Sequence, residues 1–134
     1  MPADAVGIVL ARLQSVLEAL DVDDDVRCIV VTGRGRYFST GADLESSTLS
    51  PTTEDVTAHS RRVVATPTRP WSMRTPIIGA LNGSAVGIGL TLPVQWDIRF
   101  VASEAKYGFV FNRRGVMPEM NSLWLLPRLI GLSR

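Results

Sequence analysis

Apolar residues near the N-terminus recur at the spacing of one helix face. Val6, Val9, Leu10, Leu13, Val16, Leu17 and Leu20 predict an amphipathic helix. The acidic run Asp21–Asp25 ends it, because short polar side chains compete for the backbone and favour turns. Val26–Thr32 is a β-branched run closed by Gly33 and predicts a buried strand. Gly33–Gly41 predicts a glycine-marked loop, and Ser46–Arg69, rich in Ser, Thr and Pro, a mobile surface loop with a short helix over Glu54–Val64. Ile77–Leu81 predicts a second strand stopped by the turn signal Asn82-Gly83. Ala85–Val94 opens on small residues and predicts a helix. Asp97–Val101 and Lys106–Phe109 predict two more strands. A last helix is expected over Asn121–Ile130, with Leu123, Leu126, Leu129 and Ile130 facing inward.

Strands that alternate with helices imply an α/β layered fold with parallel pairing. The chain has 134 residues, enough for a single domain spanning 1–134, and no internal repeat. One stretch, Thr75–Trp96, lacks charge over about the length that crosses a bilayer. It also holds Pro76, Asn82, Pro93 and glycines at 79, 83, 87 and 89, so a strand, a turn and a buried helix fit it better than a span.

Charge excludes one class of partner. Fourteen basic against thirteen acidic residues give a net charge of +1, and no basic surface for nucleic acid is indicated. The one cysteine, Cys28, leads the apolar run Ile29-Val30-Val31 and is expected to be a buried structural thiol. With no partner cysteine, and with no basic segment and apolar block at the N-terminus, a cytoplasmic protein is expected.

Two segments carry the candidate chemistry, and both are glycine-bearing strand–turn–helix transitions. One is Gly33–Leu44; the other is Asn82-Gly-Ser-Ala-Val-Gly-Ile-Gly-Leu90. Small residues let a backbone approach a ligand closely, and a helix start leaves N–H donors free. Two donors from separate loops can converge on one carbonyl oxygen. Tight packing required by the fold explains the same glycines equally well. Other chemistries fit less. Gly33-x-Gly35 lacks the third glycine of a dinucleotide fingerprint, no P-loop Lys follows, and Ser84 is not in a nucleophile elbow. His59, the single histidine, lies in the polar loop, and no Cys/His/Asp cluster has metal-ligand spacing, so no metal is expected.

Taken in order, six segments resemble the crotonase (enoyl-CoA hydratase/isomerase) family. They are Tyr37–Leu44, Pro76–Leu90, Asp97–Ala102, Tyr107–Phe109, Arg114–Glu119 and Leu126–Gly131. The resemblance implies a spiral of ββα units, usually assembled into trimers or pairs of trimers. It implies binding of an acyl-CoA thioester whose enolate-like oxyanion is stabilised by backbone donors. By position those donors are the N–H groups of Ala42 and Ile88. Thr40, Gly41, Ala42, Asp43 and Leu44 would line the CoA site. CoA would enter as part of the substrate, with no separate cofactor. Ile88 stands where many members have glycine.

The departures from the pattern are informative. Hydratases of the family use two glutamates, and the corresponding positions here are Thr91 and Phe111. Neither transfers a proton as a carboxylate does, so two-glutamate water addition is disfavoured. Glu119 instead resembles the single catalytic glutamate of some enoyl-CoA isomerases, and a lone carboxylate near an apolar pocket can carry a proton between two carbons. Its bland alternative is a charge at the N-terminus of the helix Asn121–Ile130, favoured by the helix dipole. Family members run near twice this length. The opening hairpin before Ala3 and the C-terminal helices after Arg134 are missing, so the chain is expected to be a fragment or truncated relative. Trp96, Phe109, Phe111, Trp124 and Leu125 would then lose part of their cover. The resulting expectation is an isomerase-like enzyme, with a hydratase or a non-catalytic acyl-CoA binder as alternatives.

Overall fold

The computed structural model describes residues 5–41, 69–115 and 117–133. Helix α1 (Ala5–Asp21) leads into β1 (Ile29–Thr32) and β2 (Tyr37–Ser39). After a 3₁₀ turn at Pro70–Ser72 come β3 (Ile77–Leu81), β4 (Ser84–Val86) and α2 (Ile88–Val94). Then follow β5 (Ile98–Val101), β6 (Tyr107–Gly108), a 3₁₀ turn at Phe111–Arg114 and α3 (Ser122–Ile130). The strands form two parallel three-stranded sheets, β1-β3-β5 and β2-β4-β6. The α/β layering and its parallel pairing are thus present.

Each repeat of the chain feeds one strand to each sheet. Ile29 pairs with Ile77, and Ile78 with Ile98, in an unbroken register across the larger sheet. Residues of one parity, Ile29, Ile77, Gly79 and Leu81, face inward; Leu17 of α1 and Trp96 close over Ile29 and Ile77, and Leu81 packs with Ala85 and Leu90. Gly79 is required there: a Cβ would lie 2.8 Å from Cε3 of the Trp96 indole. Phe38 meets the same indole edge-on, with ring centroids 6.4 Å apart. Ile77 is fully buried at the centre, which is worth about 1.5–3 kcal/mol relative to exposure.

Side chains join the ends of these elements. α1 ends at Asp21, as the acidic run predicts, and Asp21 Oδ1 accepts the Thr75 N–H at 2.8 Å. The Arg74 guanidinium donates to the Asp21 carbonyl. At the far end of α2, Arg99 Nη1 donates to the carbonyls of Pro93, Val94 and Trp96, satisfying groups that a helix terminus leaves open. Asp97 Oδ2 accepts the Ile77 N–H at 2.8 Å, seating the start of β3.

Several expectations are corrected. The strand after the acidic run is four residues long and half-buried, with Val30 61% exposed, because the outer face of the sheet has no cover among the described residues. Cys28 is exposed for the same reason: it shares the parity of Val30, opposite to Ile29. The loop 33–41 contains β2, and the segment 85–94 begins as β4 before turning helical. Along α1, Leu10, Leu13, Leu17 and Leu20 face the core, whereas Val9 and Val16 are exposed. In α3 the inward residue is Ser122; Leu126 is half-buried and Leu123, Leu129 and Ile130 are exposed. Trp96 keeps full cover, while Phe109 and Trp124 are exposed. The helix expected over Glu54–Val64 and the loop around it lie outside the described residues. Thr75–Trp96 forms two strands and a short helix, and no described helix is long and apolar enough to cross a membrane.

Candidate active site

The smaller sheet brings the two glycine-bearing turns together. Its strands are two or three residues long, and its contacts depend on missing side chains. A Cβ at Gly83 would lie 2.1 Å from the Arg36 carbonyl oxygen, and one at Gly89 would lie 2.6 Å from Ser39 Cβ. Gly41, at φ +85°, packs so closely on β4 that a Cβ would come within 2.9 Å of the Val86 carbonyl oxygen. Asn82 ties the same turns by its amide. Its Oδ1 accepts the Gly33 N–H at 2.9 Å and its Nδ2 donates to the Gly35 carbonyl at 2.8 Å.

The turn into α2 rests on Gly87, at φ 58° and ψ −123°, a conformation that L side chains rarely adopt. Its N–H donates to the Gly108 carbonyl at 3.1 Å, and its carbonyl accepts from Leu90 and Thr91. Ile88 follows as the first helical residue, so its N–H has no partner within the helix, and none is found among the described residues. The Phe111 ring stands beside this turn, its Cζ 3.9 Å from the position of a Gly87 Cβ.

Glu119 reaches the same helix. Thr91, fully buried, donates its hydroxyl to Glu119 Oε1 at 2.6 Å. Thr91 lies three positions after Ile88 and therefore on the same helix face. That places Thr91 itself about one helical turn, roughly 5 Å along the axis, from Ile88. The Glu119 main chain is held as well. Its carbonyl accepts from Ser122 N–H at 3.0 Å and from Ser122 Oγ at 2.6 Å. Met120 and Asn121 then both take positive φ, 55° and 56°, turning the chain sharply away. A non-glycine residue there costs roughly 1–3 kcal/mol. Asn121 makes no side-chain cap, and the Glu119 carboxylate crosses to α2 instead of serving α3.

Of the residues singled out in the sequence, Glu119, Ile88, Thr91 and Phe111 converge on the start of α2, and Gly41 packs on β4 next to it. Thr40 is exposed at the end of β2. Ala42, Asp43, Leu44 and His59 lie outside the described residues. Asn82 and Ser122 were not foreseen. A signal existed for the pairing with Thr91: it is the one hydroxyl in the apolar helix Ile88–Val94, and such a group needs a partner when buried.

Parallel strands that feed two short turns with close backbone approach, beside one half-buried carboxylate among the described residues, make an α/β core of the crotonase type. The chain belongs to the enoyl-CoA hydratase/isomerase family: that family's profile matches residues 8–134. It is 39% identical to the enoyl-CoA hydratase ACTT3 of Alternaria alternata over 148 residues, covering 98% of this chain and 49% of that protein. It is 35% identical to the 1,2-epoxyphenylacetyl-CoA isomerase of Escherichia coli, covering 92% and 48%. Among solved structures it resembles an enoyl-CoA hydratase subunit I of Geobacillus kaustophilus, with TM-score 0.80 and 34% identity over 93% of this chain and 48% of that one. DspI of Pseudomonas aeruginosa is similar at TM-score 0.81 and 31% identity, covering 92% and 47%. The chain spans about half the length of the curated relatives it matches.

Proposed function

We propose that the chain serves an acyl-CoA thioester enzyme of the isomerase type, in which Glu119 moves a proton between two carbons of the acyl group. In this reading Glu119 takes a proton from a carbon flanking the double bond. The electron pair moves toward the thioester carbonyl, whose oxygen becomes an oxyanion. The N–H groups of Ile88 and Ala42 hold that charge, and Glu119 returns the proton to the other end of the dienolate. Preorganised donors of this kind are worth roughly 3 kcal/mol each at the transition state. Thr40, Gly41, Asp43 and Leu44 would line the CoA arm, and CoA is part of the substrate. Assembly into a trimer or hexamer and a cytoplasmic location belong to the same proposal.

The observation that carries this reading is the hydrogen bond from Thr91 to Glu119. It sets one carboxylate beside the Gly87–Ile88 turn, where Thr91 and Phe111 supply no second one. The hydratase alternative draws on the names of relatives such as ACTT3, but it must add water with a single glutamate. A non-catalytic acyl-CoA binder is the other alternative. The test is Glu119→Gln, which keeps shape and removes the base. Enoyl-CoA isomerisation should fall by about a hundred- to ten-thousand-fold while CoA-ester affinity stays within a few-fold. Equal turnover by the variant and the parent would eliminate Glu119 as the proton carrier.

A further inference from the structure

We infer that Thr91 is a positioning residue for Glu119, one half of a two-point clamp that leaves a single carboxylate oxygen for proton transfer; this rests on the function proposed above. A threonine in a helix usually returns its hydroxyl to the carbonyl four residues back. For Thr91 that carbonyl is Gly87, which already accepts the N–H groups of Leu90 and Thr91. The hydroxyl has one proton to give, and it goes 2.6 Å across to Glu119 Oε1. Thr91 is fully buried, which shields its hydroxyl from solvent.

The second point of the clamp is Ser122, itself buried, which holds the Glu119 carbonyl with both N–H and Oγ–H. Between the two points the chain accepts left-handed conformations at Met120 and Asn121. Local strain of that kind persists only where surrounding contacts over-determine it. With Oε1 bound to Thr91, Oε2 is the oxygen to which no hydrogen bond is found among the described residues. The proton therefore leaves and returns through Oε2, and Thr91 fixes the direction in which that oxygen points.

Two variants of the intact protein test this with 3-hexenoyl-CoA, following formation of the conjugated thioester. Thr91→Val keeps the shape and removes the hydroxyl. It should lower kcat about tenfold or more, because small displacements of a reacting group are costly, with KM within about threefold. Thr91→Ser, which restores the donor, should recover at least about a third of the parent kcat. A folded Thr91→Val with kcat within about twofold of the parent, or a serine variant no better than valine, would overturn the inference. A readout independent of turnover is the thermal midpoint of Thr91→Val, Glu119→Ala and the pair. The loss caused by Thr91→Val should be larger in the parent than alongside Glu119→Ala, since residues in contact are not additive. Additive losses would refute the clamp whatever the activity. An inactive parent with non-additive losses would remove the isomerase reading and leave the clamp standing.

Discussion

The two sheets are built on opposite principles. The larger one, β1-β3-β5, is held by apolar side chains in regular register, with Ile29, Ile77 and Trp96 at its centre. The smaller one, β2-β4-β6, has a register shift between Tyr37 and Ser39, and the turn and helix around it pack on Arg36 and Ser39 because Gly83 and Gly89 have no side chains. The first is a scaffold whose inner face is closed by large apolar side chains, with Gly79 making room for Trp96. The second is a place where backbone must meet backbone, and the candidate chemistry sits there. The larger sheet thus carries the apolar core Leu17, Ile29, Ile77 and Trp96, while the start of α2 beside the smaller one leaves the Ile88 N–H without a partner among the described residues.

The largest expected effect tests the scaffold. Ile77→Ala removes a fully buried side chain and should cost about 2–5 kcal/mol in denaturant unfolding. If the sheets are separable as described, any folded fraction should keep its CoA-ester affinity. Gly83→Ala tests the other half. Its Cβ would sit 2.1 Å from a main-chain oxygen that cannot move alone, so a loss of about 3 kcal/mol, the upper end of overpacking, is expected. Here ligand affinity should fall with stability, and a Gly83→Ala protein as stable as the parent would break the comparison.

Asn82→Ala probes the joint between the sheets. It removes the amide partner of the Gly33 N–H and the Gly35 carbonyl, both in exposed hydrogen bonds, and a loss of about 0.5–1.5 kcal/mol is expected by the same unfolding measurement. The smallest effect belongs to the outer face of the larger sheet. Val30→Thr, at a position 61% exposed, should change stability by less than about 0.5 kcal/mol. A large loss there would mean that the outer face is covered in solution.

Legibility in the sequence followed the same division. The helix ending at Asp21 and the strand Ile77–Leu81 were visible because apolar periodicity is what builds the scaffold. β2 and β4 were invisible, since three residues held by close glycine contacts carry no period. Cys28 was misplaced because a run of apolar residues conceals alternation until one position is known to face inward. At the site, Glu119 and Thr91 were both marked by resemblance, but their contact joins positions 28 apart through a turn with positive φ at Met120 and Asn121. Nothing local announces that bend. Methionine is an ordinary helix former, and only the surrounding structure holds it otherwise.

Parallel pairing also sets a timetable for the chain. β1 finds its partner in β3, and Ile29 pairs with Ile77, 48 residues later. At a synthesis rate of roughly 5–20 residues per second, β1 waits about 2–10 s after it emerges before that partner exists. Throughout this interval the β-branched run Ile29-Val30-Val31 has α1 beside it in sequence, while its parallel partner β3 has not yet been made. Closing so long a loop is slow compared with forming a helix. The nascent chain therefore passes through a period in which α1, among the described elements, is available to shelter β1, which gives Leu13, Leu17 and Leu20 a role before the native core exists.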